Sequence, residues 1–354
     1  MTGAPARVPG IDGLRGLAVL TMAAGNLGIG VAWVPDFLKH APDVGFTVAD
    51  LVAPLFVVLS AFTLGPALER RRAAQGERAA MGWLVNRSLA LVGIGAVISA
   101  GEWLFLPPPP GTDPTWGVLQ AIGVASLLTG TVIRTPARVR FAVGLGLLAT
   151  YQWLLDAFLL DRVRSSIHNG LAGTLAWGGL MILSTAVADT WRAAGTPRRK
   201  VVLLGGLGGL FAGTALILSL AFPIAKARAS ASYMLLSLGL SLLLYAVAEA
   251  ALTPRPLSLL WLQRVGKRPL AMYLAHLLLL APVTLMGGDA LYARAVPPVT
   301  LVEAALLVLA LVGLAHLLDR RSSPPDSATP VGTADSSSDR LHVGQLRQAA
   351  RRSR

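Results

Sequence analysis

The chain is a succession of long apolar runs separated by short polar breaks. Runs close to the roughly 20 residues that cross a bilayer as helix recur along most of its length. They predict ten spans: 13–34, 47–68, 88–106, 116–133, 141–160, 170–189, 201–222, 231–252, 270–287 and 299–318. In lipid a backbone must satisfy its own hydrogen bonds, so runs of this length are expected as helices. The pattern therefore predicts an all-α polytopic membrane protein, about ten transmembrane helices in one bundle over residues 1–318. At Asp319 the pattern stops. RRSSPPDSATPVGTADSSSDR and then LHVGQLRQAARRSR predict a disordered basic tail over 319–354.

Composition agrees: 54% of the 354 residues are hydrophobic and 14% charged, with a mean hydropathy of +0.62. The net charge of +13 would suggest nucleic acid in a soluble chain. Here it is better read as loop charge facing the cytoplasm, and no nucleic-acid partner is expected. Loops after the even-numbered predicted spans hold sixteen Lys and Arg, those after the odd-numbered ones six. Both termini are then expected in the cytoplasm and the 35–46 turn outside. There are no cysteines, so no disulfide forms and redox compartment cannot be read. No A-x-A site follows the first apolar run, and no cleaved signal is expected.

Titratable and amide groups at or within the spans carry the candidate chemistry, because they are costly there. His40 lies in the polar turn before the second span, and an imidazole suits proton transfer or nucleophilic attack. Asp50 stands ten residues later at the mouth of that span, where Thr47-x-x-Asp50 also reads as a capping box with Asp in place of Glu. In the first span Asp12 and Arg15 can pair on one helix face. Asn26 follows Arg15 by close to three turns, about 16 Å higher on the same stripe. Glu102 and Gln120, near the outer ends of their spans, are expected to line an acceptor pocket. His168 is a second-choice base, His276 reads as a buried hydrogen-bonded residue, and His316 and His342 lie on the cytoplasmic side. Arg264, Lys267 and Arg268 precede the ninth span, and Pro269 suits its first turn; a basic helix start favours phosphate. No metal site is expected, since no histidines stand at ligand spacing. The Walker, G-x-G-x-x-G and G-x-S-x-G patterns are missing, which sets aside ATPase, dinucleotide and serine hydrolase chemistry.

Five blocks in order resemble the heparan-alpha-glucosaminide N-acetyltransferase family, including its bacterial relatives. They are IDGLRGLAVLTMAAGN (11–26), HAPDVGFTVADLVAPLFVVLSAFTLG (40–65), WGVLQAIGV (116–124), NGLAGTL (169–175) with FPIAKARASASYMLLSLGL (222–240), and VGKRPLAMYLAH (265–276). The resemblance implies acyl transfer across a membrane, from cytosolic acetyl-CoA to an amino sugar or other glycan acceptor on the outer side. It implies His40 as the active-site histidine, Asn26 as its partner and Asp50 as the acid of T-x-A-D. It also implies a bacterial inner (plasma) membrane setting, with membrane lipids as surroundings and a homodimer left open. In this scheme the phosphates of the donor lie near Arg15 or the Lys267 and Arg268 helix start, and transfer to nitrogen or oxygen stays undecided. The alternative is a transporter or flippase of a lipid or envelope precursor without acyl transfer. Three places depart from the family pattern: Asp43-Val44-Gly45 stands for Trp-Asn-Gly, Ala121 for a basic residue after Gln120, and PIAKARAS (223–230) for P-I-N-K-x-L-W-T.

Overall fold

The computed structural model describes residues 8–105, 110–252, 259–286 and 291–322. Twelve α-helices are named among them. They are α1 (Pro9–Gly28), α2 (Val48–Gln75), α3 (Glu77–Phe105), α4 (Val118–Val132), α5 (Ala137–Leu154), α6 (Leu160–Arg164), α7 (Gly170–Ala193), α8 (Pro197–Leu218), α9 (Ala231–Leu252), α10 (Leu260–Lys267), α11 (Pro269–Met286) and α12 (Pro297–Ser322). A π-helical turn, Leu155–Leu159, joins α5 to α6. The all-helical expectation holds among the described residues, and each of the ten apolar runs falls on a helix.

By length and composition alone, fewer than ten of the helices among the described residues qualify as spans. Seven helical stretches are long and apolar enough to cross a membrane, and α10 with α11, bent by 90° at their junction, makes up to eight. With only 15 residues, α4 is too short to meet that standard. The 90° break falls at Arg268, directly before Pro269, whose ring disfavours helical geometry in the residue it follows. Asp319–Ser322 complete α12, so its helix runs past the predicted start of the tail; residues 323–354, with the tail and His342, lie outside the described residues.

Packing explains the order of the bundle. The chain up to His316 forms one contact unit, and within it α7 is the central helix, with 83% of its apolar window buried. It packs on α2, α4, α5 and α9 through Trp177, Leu180, Met181 and Leu183. Small residues let neighbours close in, as is common between helices in lipid. A Cβ on Gly239 would stand 2.7 Å from the Gly208 carbonyl oxygen, where α8 and α9 meet. α1 and α10 approach so closely that a Cβ on Gly266 would overlap the backbone of Asp12.

Candidate active site

The site begins with local structure in the 35–46 turn. A 3-10 turn, Asp36–Leu38, ends the descent from α1. Gly45 then takes φ +127°, a conformation that side-chain-bearing residues rarely adopt, and its N–H donates to the Ile224 carbonyl at 2.8 Å. That bond joins the His40 turn to the loop between α8 and α9, 179 residues further along the sequence.

Thr47 caps α2, and its N–H and hydroxyl both reach Asp50 Oδ2, at 3.1 and 3.0 Å. The capping reading of Asp50 is therefore correct, but incomplete. The same oxygen accepts from the Ala41 N–H at 3.3 Å, and Oδ1 lies 2.8 Å from His40 Nδ1. Asp50 is fully buried while the His40 side chain keeps 35% exposure. An ionised carboxylate only accepts, so the proton on His40 belongs on Nδ1 and the lone pair on Nε2. The Tyr233 hydroxyl donates to the Asp50 carbonyl at 2.8 Å, fixing the first turn of α2 against α9.

The third member of the cluster is Lys226. Its Nζ stands 2.9 Å from His40 Nδ1, 3.0 Å from Nε2 and 3.7 Å from Asp50 Oδ1. Burial pushes its ammonium down to about 8, against the opposing pull of Asp50. The loop holds it firmly. The Lys226 carbonyl accepts from Asn169 Nδ2 at 2.8 Å, and Tyr151 donates to the Arg228 carbonyl at 2.7 Å. Gln152 Oε1 accepts from the Ala231 N–H at 2.9 Å. Asn169 and His168 both have left-handed backbones, φ 70° and 52°. Such strain in non-glycine residues persists only where surroundings demand it. Here it turns the Asn169 amide towards Lys226, with Trp177 Nε1 donating to Asn169 Oδ1 at 3.3 Å.

Two departures from the family pattern meet each other. Arg228 Nε and Nη2 donate to the Asp43 carboxylate at 2.9 and 2.5 Å, and Arg164 lies 3.3 Å from it. The bond to Arg228 holds the Asp43 carboxyl below the usual carboxylate range. Asp43 and Arg228 thus form one bidentate pair at the rim of the site.

A cavity of about 770 Å³ opens beside His40. Its polar wall includes Asn26, His40, Glu102, His168, Asn169 and Lys226; Arg164, Trp177 and Tyr273 also reach it. The structure therefore brings His40, Asp50 and Asn26 to one end of the bundle. Asn26 lines the cavity, with its amide nitrogen 3.0 Å from Nε2 of His276 on α11. Glu102 lines the cavity as expected, whereas Gln120 does not. Gln120 instead caps α4, accepting from the Gly117 N–H at 2.7 Å and donating to the Thr115 carbonyl at 2.8 Å.

The basic candidates Arg15, Lys267 and Arg268 do not line this cavity. Arg15 Nη2 donates to the Leu59 carbonyl at 2.8 Å and to Thr63 Oγ1 at 2.6 Å, with Asp12 at 4.0 Å. That is an anchor between α1 and α2. Lys267 and Arg268 mark the break between α10 and α11. Tyr273, in the floor of the large cavity, follows Arg268 by five residues, about 7.5 Å of helix rise. A second cavity of about 320 Å³ has Arg72, Arg134, Arg140 and Arg192 in its wall. Their guanidiniums are tied to Glu77 and Asp189. Sequence reasoning missed Lys226 and Asn169. Both sit in family blocks, but nothing in their local spacing points at His40.

The family model for the heparan-alpha-glucosaminide N-acetyltransferase catalytic region matches residues 7–249. The human heparan-alpha-glucosaminide N-acetyltransferase is 33% identical over 126 residues, 35% of this chain and 18% of that protein. The mouse protein of the same name is 34% identical over 117 residues, 32% and 17% of the two chains. The alignments therefore span less than a fifth of these longer relatives. No group of three or more candidate metal ligands occurs among the described residues. The family match contains the whole His40–Asp50–Lys226 cluster, and on that evidence this integral membrane chain belongs to the heparan-alpha-glucosaminide N-acetyltransferase family.

Proposed function

We propose that the chain transfers an acetyl group from acetyl-CoA to an amine or hydroxyl acceptor, with His40 at the reaction centre. The observation that carries this reading is the contact of His40 with Asp50 on one side and Lys226 on the other, at the wall of a cavity large enough for a small substrate. Asp50 orients the imidazole and stabilises its charged form, as a buried carboxylate does in other acyl-transfer sites. His40 Nε2 takes the acceptor proton as the acceptor nitrogen or oxygen attacks the thioester carbonyl. The C–S bond breaks, the new C–N or C–O bond forms, and the proton passes to the departing thiolate. Lys226, in contact with His40, stabilises the developing oxyanion. Asn26 contributes its amide to the same wall when His276 releases it.

The donor is assigned to the basic end of the bundle. Its phosphates lie near Lys267 and Arg268, and its thioester reaches the cavity floor at Tyr273. In this reading that end faces the cytoplasm and His40 the outer side, in keeping with the alternation of Lys and Arg among the predicted loops. In a covalent variant His40 accepts the acetyl group first and passes it on.

The test is release of coenzyme A from acetyl-CoA by the full chain in lipid nanodiscs, with glucosamine as acceptor. Acetyl-CoA-dependent product formation is expected, and its loss in His40→Ala. Full activity in that variant would overturn the assignment of His40. A purely transporting protein would release no coenzyme A at all.

A further inference from the structure

The large cavity is two-sided, and its second side is not explained by a sugar. Opposite the polar wall lie Ile98 and Phe105 of α3 with Leu278, Ala281 and Leu285 of α11. Phe105 and Leu278 are 69% and 75% exposed, far more than a sealed sugar pocket would leave them. α3 packs chiefly on α4 and α2, and α11 on α1 and α10. The cavity therefore opens between two helices whose apolar side chains remain exposed at its edge. Beyond Tyr273 its wall runs along α11 from Leu277 to Leu285, eight residues or about 12 Å of rise. That depth takes most of an alkyl chain lying in one leaflet, whose hydrocarbon is roughly 15 Å thick.

We infer that the acceptor is lipid-linked: an amphipathic molecule whose hydrocarbon chain lies between α3 and α11 while its head group presents an amine or hydroxyl to His40. This deepens the proposed acyl transfer and rests on it for the role of the head group. The polar rim fits such a head. Lys39 and Arg164 line the cavity at the His40 end and Glu102 faces it from α3, so both an anionic linkage and an amine find a complement. A soluble sugar would engage the polar rim alone, whereas a hydrocarbon chain also meets the apolar wall.

The experiment uses the full chain in nanodiscs and three probes. These are methyl β-glucosaminide, dodecyl β-glucosaminide and a dodecyl β-glucosaminide carrying a photoreactive diazirine at the chain end. Photolabelling is expected on α3 and α11, displaced by excess dodecyl glycoside but not by the methyl glycoside. In acetyl transfer the dodecyl glycoside is expected to have a kcat/KM at least tenfold above the methyl glycoside. In Ala281→Trp, which places an indole between the helices, that preference is expected to fall at least tenfold. Labelling spread evenly over all lipid-facing helices, or no preference between the glycosides in either assay, overturns the inference. So does displacement of the label by palmitoyl-CoA alone, which would give the apolar side to the donor. Displaceable labelling of α3 and α11 without any acetyl transfer upholds the lipid site and overturns the transferase reading instead.

Discussion

Lys226 Nζ lies within 3.0 Å of both ring nitrogens of His40, across 186 positions of sequence. An ammonium so placed occupies the His40 lone pair at rest; in the proposed mechanism it shifts before His40 takes a proton. The cost of burial keeps the lysine close to the pH at which it can give up its charge.

This sets a pH dependence. The Lys226 pKa falls from the usual lysine value to about 8. If its charge stabilises the oxyanion, acetyl transfer falls as pH rises through about 8. Lys226→Arg extends the plateau to higher pH, because a guanidinium stays charged. Lys226→Met loses about 10²-fold or more at all pH. The sign for stability is opposite. Between about 8 and the unfolded lysine pKa the unfolded chain binds more protons, so the penalty of burying the charge is full below pH 8 and relieved above it. Rate–pH profiles and thermal unfolding of wild type and Lys226→Met check both.

Asp50→Asn separates the cap from the chemistry. The amide oxygen can still accept from Thr47, so the melting temperature is expected to fall by no more than a few degrees. Its NH₂ cannot hold the Nδ1–H tautomer of His40, and kcat is expected to drop about 10²–10⁴-fold with KM little changed. A drop in stability alone, with kcat retained, would leave Asp50 as a helix cap only.

Labelled acetyl on His40 decides the route. Purified protein given acetyl-labelled coenzyme A without acceptor is expected to hold label on His40 if transfer is covalent. Peptide mapping after acid quench reads it. No label together with sequential kinetics assigns His40 as a base.

Asp43 and Arg228 should couple. The bidentate pair is partly exposed, so a double-mutant cycle of Asp43→Ala and Arg228→Ala is expected to give about 0.5–1 kcal/mol in thermal unfolding. The contribution is present above the unfolded Asp pKa of 3.8 and is lost as pH falls through the lower folded value. Coupling near zero would mean that the departures at these two positions are independent.

Gly266→Ala tests the seam between α1 and α10. The new Cβ would overlap the Asp12 backbone, which cannot yield as a flexible side chain does. A loss of about 1–3 kcal/mol or more is expected, with a lower yield of folded protein and a lower melting temperature. Gly205→Ala, with open space around its Cβ, serves as the neutral control.

Much of this protein was legible in one dimension. Apolar runs determined the helices, because lipid forces each segment to close its own hydrogen bonds. Thr47-x-x-Asp50 determined the start of α2, because a cap uses residues three apart. The ordered motifs determined the family and singled out His40. Long-range geometry decided the rest. Apolarity alone could not foresee that α4 would have only 15 residues, or that α10 and α11 would bend by 90° at their junction. Gln120 has the composition of a pocket residue and is spent on a cap. Asn26 shares a stripe with Arg15, yet its amide meets His276 on a helix 250 positions away. Lys226 reaches His40 because Gly45, Asn169 and Tyr151 pin two loops together. Local periodicity records which face a residue occupies along its own helix. Which residue it faces depends on the packing of elements far apart in sequence, and only the folded bundle decides that.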